Sequence, residues 1–311
     1  MGQGEKMIRH DSERDFIGYG RQRPDPRWPG GARVALSFVI NIEEGAELNI
    51  SAGDECNEGI YEITSEVRGV PDRDMESHFE YGTRVGFWRI MDLLDRFDVK
   101  TTFNTCARAV ELSPWLAEEG VARGHELSCH GYRWEEQTYM NVEQEAALIS
   151  KTVETIERVS GVRPVGWHSR SPSANTRRLL VSHGGFLYDS DAYNDDLPYF
   201  VDVEGHRHLI LPYNYDTNDM RFTRAETFRL AGDFLTYLKN SFDWLWREGE
   251  REPRMMTVGL HLRIIGRPGR ISALEDFLDY VSERGQIWIA RRDQIARHWL
   301  QHFGPPAETV A

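Results

Sequence analysis

The run Arg33-Val-Ala-Leu-Ser-Phe-Val-Ile-Asn-Ile42, followed at once by Glu43-Glu44-Gly45, decides how the chain is read. Its β-branched and aromatic content predicts a strand. The acidic pair then stands at the strand's end. A buried carboxylate there can serve as a general base, its pKa raised by burial and by its neighbour. Taken alone, Glu-Glu-Gly reads more readily as a solvated loop start.

Outward from this strand, short apolar runs alternate with amphipathic stretches. Strands are expected at Lys100–Cys106, Glu126–His130, Arg163–Trp167, Phe186–Tyr188, His208–Pro212, Met255–Leu262 and Gln286–Ala290. Helices are expected at Thr83–Phe97 (stripe Val85, Trp88, Met91, Leu94), Pro114–Arg123, Val142–Val159, Asn175–His183, Ala225–Glu248, Ile271–Arg284 and Asp293–Gln301. Val142–Val159 carries the clearest stripe, with Asn141 and Gln144 suited to a capping box and Gly161 to a C-terminal stop. Roughly eight strands with helices between them form the pattern of a parallel sheet. The fold class is therefore α/β: a single (β/α) barrel over residues 33–304, with a doubly wound open sheet as the alternative. Residues 1–32, rich in Gly, Pro and Arg, read as an irregular arm, and 305–311 as a tail.

A chain of 311 residues can bury a large core. A formal net charge of −13 argues against nucleic acid or an anionic membrane as partner. No apolar run is long enough to span a bilayer. The segment from Met1 to Arg14 is polar, without the apolar core of a secretory signal. Cys56, Cys106 and Cys129 are widely spaced and fit reduced thiols in a cytoplasm. No nucleophile elbow, phosphate loop or dinucleotide fingerprint is present.

Barrels carry chemistry at the C-terminal ends of their strands. Glu43, Glu44, His130, Arg170, Asp189 and His261 all fall at such ends. His125 and His130 flank one strand and point to opposite faces, so they do not share a ligand; His125 reads as a packing residue. In Ser128-Cys-His-Gly-Tyr-Arg-Trp134, a His is followed four residues later by Trp. Two imidazoles at that spacing could hold a divalent ion. An indole N–H has no lone pair to offer. Arg170 could orient a carboxylate or bind an oxyanion, and Asn175 suits a helix N-cap. Within Asp189–Asp196, part of the acidic loop could orient a histidine or an arginine. His261, inside an apolar strand, is either a satisfied core residue or a catalytic acid.

Together these segments resemble the polysaccharide deacetylase superfamily, and within it the branch of cofactor-independent bacterial allantoinases. The matching stretches include Asp15-Phe-Ile-Gly-Tyr-Gly20, Glu43-Glu44-Gly45, Ser128–Trp134, Asn175-Thr-Arg-Arg178, Gly185–Asp191, Asp195–Tyr199, Asp216–Phe222 and Gly259–Pro268. The resemblance implies a distorted (β/α) barrel of the NodB-homology type that hydrolyses carbon–nitrogen bonds, and a homo-oligomer, a tetramer. In metal-dependent members, an Asp-Asp pair and a His-x-x-x-His turn build the centre. Here Glu43-Glu44 replaces the pair, and Trp134 the second His. Arg170 corresponds to the arginine that holds the base, and His261 to the general acid.

The expected activity is allantoinase-like opening of a small cyclic amide or imide, in purine and ureide catabolism, with no cofactor. Were zinc or another divalent metal bound, Glu44 and His130 would be its ligands. Trp134, Asp189 and Asn218 are the candidates for the substrate pocket. The segment Ser169–Thr176, with His168 before it, departs from the branch and is where pocket shape would differ. The alternatives are an N-deacetylase of an acetylated sugar, peptidoglycan fragment or small amine, and a catalytically dead ligand-binding barrel.

Overall fold

A computed structural model describes residues 9–11, 14–59, 66–223 and 227–304. Among these residues nine strands form one sheet: β1 (Val34–Ile42), β2 (Thr102–Thr105), β3 (Glu126–Cys129), β4 (Gly166–Trp167), β5 (Tyr188–Asp189), β6 (Tyr199–Val203), β7 (His206–Ile210), β8 (Arg254–His261) and β9 (Ile287–Ile289). The order is β6-β7-β5-β4-β3-β2-β1-β8, with β9 also on β1. Every pairing is parallel except the β6–β7 hairpin. The sheet's two ends meet across an irregular seam, not a ladder. There Gly259 N–H donates to Thr217 O (3.1 Å), Thr257 N–H to Asn214 Oδ1 (2.8 Å), and Thr217 Oγ1 to Thr257 O (2.6 Å). The result is a distorted barrel rather than an open doubly wound sheet.

The helices are α1 (Arg73–Tyr81), α2 (Phe87–Arg96), α3 (Ala107–Leu112), α4 (Trp115–Ala122), α5 (Val142–Ser160), α6 (Thr176–His183), α7 (Ala231–Glu248), α8 (Leu262–Ile265), α9 (Pro268–Ser282) and α10 (Arg292–Phe303). The expected box on α5 is present: Gln144 N–H donates to Asn141 Oδ1, Asn141 N–H to Gln144 Oε1, and Gly161 is left-handed at φ 72°. Several expectations change. α1 and α2 run into each other through a π-helical stretch, Gly82–Gly86. That stretch rotates the buried face onto Phe87, Ile90, Met91, Leu93 and Leu94, leaving Val85 and Trp88 exposed. α7 starts at Ala231, where Asp233 Oδ2 accepts the N–H groups of Arg229 and Leu230; the expected start at Ala225 lies outside the described residues. Asn175 precedes α6 without capping it, and its Oδ1 accepts from Arg178. The β6 strand and the helices α1, α3 and α8 have no counterpart in the expected elements. The tail over 305–311 lies outside the described residues.

Strand periodicity positions the site. Along β1, Val34, Leu36, Phe38, Ile40 and Ile42 pack in the core cluster shared with the helices. Ala35, Ser37 and Asn41 alternate with them and face the barrel interior. Carried two residues past Asn41, the alternation sends Glu43 inward and Glu44 toward the helices. The barrel's lower interior is polar and bonded. Arg292 of α10 donates to Ser190 Oγ, Thr257 Oγ1 and Leu211 O, and Glu126 accepts from Thr102 Oγ1, Tyr188 O–H and Asp293 N–H.

Candidate active site

Glu43 is sealed from solvent at the centre of the strand ends. Its Oε2 accepts from Arg263 Nη1 at 2.7 Å. Its Oε1 lies 3.5 Å from both His130 Nε2 and His261 Nε2 and makes no hydrogen bond among the described residues. Burial alone would raise its pKa. The charges of His261 and Arg263 outweigh burial and hold it well below the usual carboxylate range.

His261 ends β8, where the chain turns into α8. Asp219 accepts from its Nδ1 at 2.6 Å and, through the other oxygen, from the N–H groups of His261 and Ile265. Burial would strip the proton from this ring. Glu43 and Asp219 reverse that and raise its pKa to about 10, so it is an imidazolium at neutral pH. His130 is fixed differently, its Nδ1 donating to His168 O at 2.6 Å. In the neutral ring Nε2 is then a lone pair facing Glu43.

Glu44 stands apart. Its Oε2 accepts Glu43 N–H at 3.1 Å, and its Oε1 is buried without a hydrogen-bond partner. A Cβ on Gly82 would fall 2.3 Å from Oε1, so the π-helical stretch is pressed onto this carboxyl. Burial raises its pKa to about 7; Arg263 opposes that and Glu43 adds to it. Of the two acids, the geometry puts Glu43 at the reacting centre and gives Glu44 a place behind it.

Three assignments are corrected. Arg170 does not hold the base. Its guanidinium is bidentate on Glu58 (3.1 and 3.3 Å), donates to Trp134 O, and stacks 4.0 Å above the Trp134 ring. Arg263 reaches Glu43 first, from the turn immediately after His261. Asp189 is not a pocket residue. It is sealed, its carboxylate accepting from Arg177 Nε (3.0 Å) and His208 Nε2 (2.9 Å). The pair Glu44 and His130 is not assembled as a metal site, since the carboxylate that meets His130 is Glu43. Among the described residues, no group of three His, Cys, Asp or Glu side chains is arranged to hold a metal ion. The donor set does not fit one: Trp134 has no lone pair, and a guanidinium occupies the second oxygen of Glu43.

Asn218 abuts the site rather than pointing freely into it. Its Nδ2 lies 3.4 Å from Tyr213 Oη, and its Oδ1 accepts Met220 N–H. Trp134 is buried, between the guanidinium of Arg170 and that of Arg263, 5.8 Å away. His125 accepts Thr101 N–H and stacks on Phe103, a packing role. The acidic loop does orient basic side chains: Asp189 holds Arg177 and His208, and Asp191 holds His168. A cleft of about 1110 Å³ between the N-terminal arm and the β5–β6 connection touches this region only through Arg177 and the loop from Asp191 to Asp196, so the chemistry lies beside it.

Sequence reasoning missed Arg263, Asp219 and Glu58 as site members, and marked His168 only as a departure bearing on pocket shape. Asp219 and Arg263 sat inside quoted motifs, but α7 separates Asp219 from the strand that ends in His261, so no local pattern joined them.

A carboxylate held between two imidazoles, one of them charged and backed by a second carboxylate, at the strand ends of a barrel, defines a hydrolase. The description "Polysaccharide deacetylase" matches residues 68–183. A Schizosaccharomyces pombe protein named for the polysaccharide deacetylases is 36% identical, over 92% of this chain and 96% of its own. The crystal structure of PuuE allantoinase is 44% identical, with a TM-score of 0.91 over 95% of this chain and all of that one. A Pseudomonas aeruginosa PAO1 structure described as a probable polysaccharide deacetylase is also 44% identical, with a TM-score of 0.90 over 94% of this chain and 99% of its own. The chain belongs to the polysaccharide deacetylase family and is a hydrolase acting on carbon–nitrogen bonds. Among the described residues, no helix is long and apolar enough to cross a membrane.

Proposed function

We propose that the protein opens a small cyclic ureide or imide, allantoin foremost, by general-base hydrolysis without a metal. The observation that carries this reading is the contact of Glu43 Oε1 with both Nε2 atoms at 3.5 Å, while Arg263 holds Oε2. A water donating one O–H to Glu43 and the other to His130 Nε2 keeps a lone pair for the carbonyl carbon. As the new C–O bond forms, one water proton passes to Glu43. As the ring C–N bond breaks, His261 Nε2 gives its proton to the leaving nitrogen and Asp219 steadies the ring. The charge on His261 and Arg263 offsets the oxyanion in a site shielded from water. A strained or electron-poor ring amide is the better electrophile, which suits a site without a Lewis acid. The 44% identity to PuuE allantoinase supports the same substrate class. On this reading the protein is a cytoplasmic homo-oligomer serving ureide breakdown.

The test is hydrolysis of allantoin, hydantoin and succinimide by chelator-treated protein, with metal content measured in parallel. Turnover that survives metal removal is expected. Activity lost with the metal and restored by zinc would refute the metal-free mechanism. Release of acetate from N-acetylglucosamine oligomers, with all three rings left intact, would favour an N-deacetylase.

A further inference from the structure

His168, the first residue past β4, has no part in the chemistry above, yet it is among the most constrained side chains near it. Its N–H donates to Cys129 O, and its carbonyl accepts the proton of His130 Nδ1. Its ring lies parallel to that of His130 (centroids 5.2 Å, 7°) and stacks on Tyr213 from 4.7 Å. Nδ1 stands 3.1 Å from Asp191 Oδ1. That oxygen is itself fixed by Ser169 N–H at 2.7 Å, while Asp191 N–H donates to Asp189 and Asp191 O accepts from Arg177.

A carboxylate can only accept, so the Nδ1 contact puts the hydrogen there and leaves Nε2 as a lone pair. Burial lowers the basicity of this ring against the pull of Asp191, which keeps it neutral near pH 7. Nε2 has no hydrogen-bond partner among the described residues, and it is not one of the sealed orphan atoms. The ring thus sits next to the imidazole that faces the base, with one acceptor lone pair that has no partner among the described residues and is not fully sealed. Structural histidines generally use both nitrogens or bury the second against carbon. This one uses only Nδ1 among the described residues.

We infer that His168 is a substrate-contacting, specificity-determining residue whose Nε2 accepts the ring N–H that is not part of the bond being cleaved. This rests on the proposed function and narrows it to cyclic ureides, which carry a second ring N–H, over simple imides, which do not. A site built to bond an N–H discriminates strongly against analogues lacking it, because the acceptor is left desolvated and unpaired.

The experiment compares kcat/KM for hydantoin, 1-methylhydantoin and succinimide in wild type, His168→Phe and His168→Gln. Phenylalanine keeps the stack and removes the acceptor; glutamine restores an acceptor oxygen. Wild type is expected to prefer hydantoin over 1-methylhydantoin by about tenfold or more, the cost of one unpaired buried acceptor. His168→Phe should lose that preference through a fall on hydantoin alone, and His168→Gln should keep part of it. A purely structural residue would lower all three substrates together, and that result overturns the inference. Wild-type turnover of succinimide with none of hydantoin overturns it as well, while leaving cyclic-imide hydrolysis standing. If wild type opens none of the three rings and allantoin is also untouched, the proposed function itself fails and takes this assignment with it.

Discussion

Arg263 Nη1 donates to Glu43 Oε2 across 2.7 Å, both side chains sealed from water, although 220 positions separate them in the chain. The pair joins the first strand to the last stretch of the barrel and sets the charge state of the base. Removing one partner of such a pair strands a buried charge, which costs more than the pair contributes. Arg263→Met should therefore lose about 3–5 kcal/mol of stability by urea unfolding and nearly all turnover. Arg170→Met touches Glu58 and Trp134 instead, and should raise KM with a smaller change in kcat.

His261 owes its raised pKa to Glu43 and Asp219. A raised value means the proton is held until pH passes about 10, so the high-pH limb of kcat/KM should lie near there. In Asp219→Asn the limb should move down toward about 6.5, the ordinary histidine value, and kcat should fall by roughly 10²–10⁴, as when a triad carboxylate is replaced. A pH–rate profile of both proteins decides it; an unmoved limb would mean His261 is not the acid.

Glu44 has its pKa raised from 4.5 to about 7. The folded state therefore holds this proton more tightly, so its stabilising contribution is complete below pH 4.5 and is lost as pH rises through 7. The loss amounts to roughly 3 kcal/mol at 1.36 kcal/mol per pKa unit. Glu44→Gln should flatten the fall in unfolding free energy between those pH values. Glu126, raised to about 7 by burial, keeps its own slope in both proteins.

Gly82 leaves no room for a methyl group against Glu44 Oε1. Gly82→Ala should lose about 1–3 kcal/mol, the usual cost of overpacking. In a double-mutant cycle with Glu44→Ala most of that penalty should disappear, since the carboxyl is what the methyl meets. Thermal melts of the four proteins test this; additive losses would place the strain elsewhere.

Much of this was legible in the sequence. The strand before Glu43-Glu44 and the capped helix at Val142 declare themselves, because local pattern and final environment agree. The β6–β7 hairpin was half missed because Tyr199–Val203 sits half-buried at the sheet edge, without a clear apolar run. At the site, Glu43, His130 and His261 were visible as polar residues at strand ends. Their partners were not. Arg263 looks like an ordinary charge after an apolar strand, Asp219 stands 42 positions before His261, and only the closed barrel carries them to Glu43 and His261. Arg170 misled for the same reason: an arginine's reach is known from sequence, its carboxylate is not.

The irregular seam at Asn214–Thr217 has a consequence for how the protein can change. No strand register depends on it, so an insertion or deletion there need not disturb any ladder. Asn218 and Asp219 follow immediately, however, and their placement against Tyr213 and His261 is inherited from it. Here, then, foldedness and turnover come apart: a chain altered at this point should still be well packed and soluble, while the acid has lost the carboxylate that keeps it charged. Inactive relatives that arise by loop-length change should carry their lesion in this short stretch.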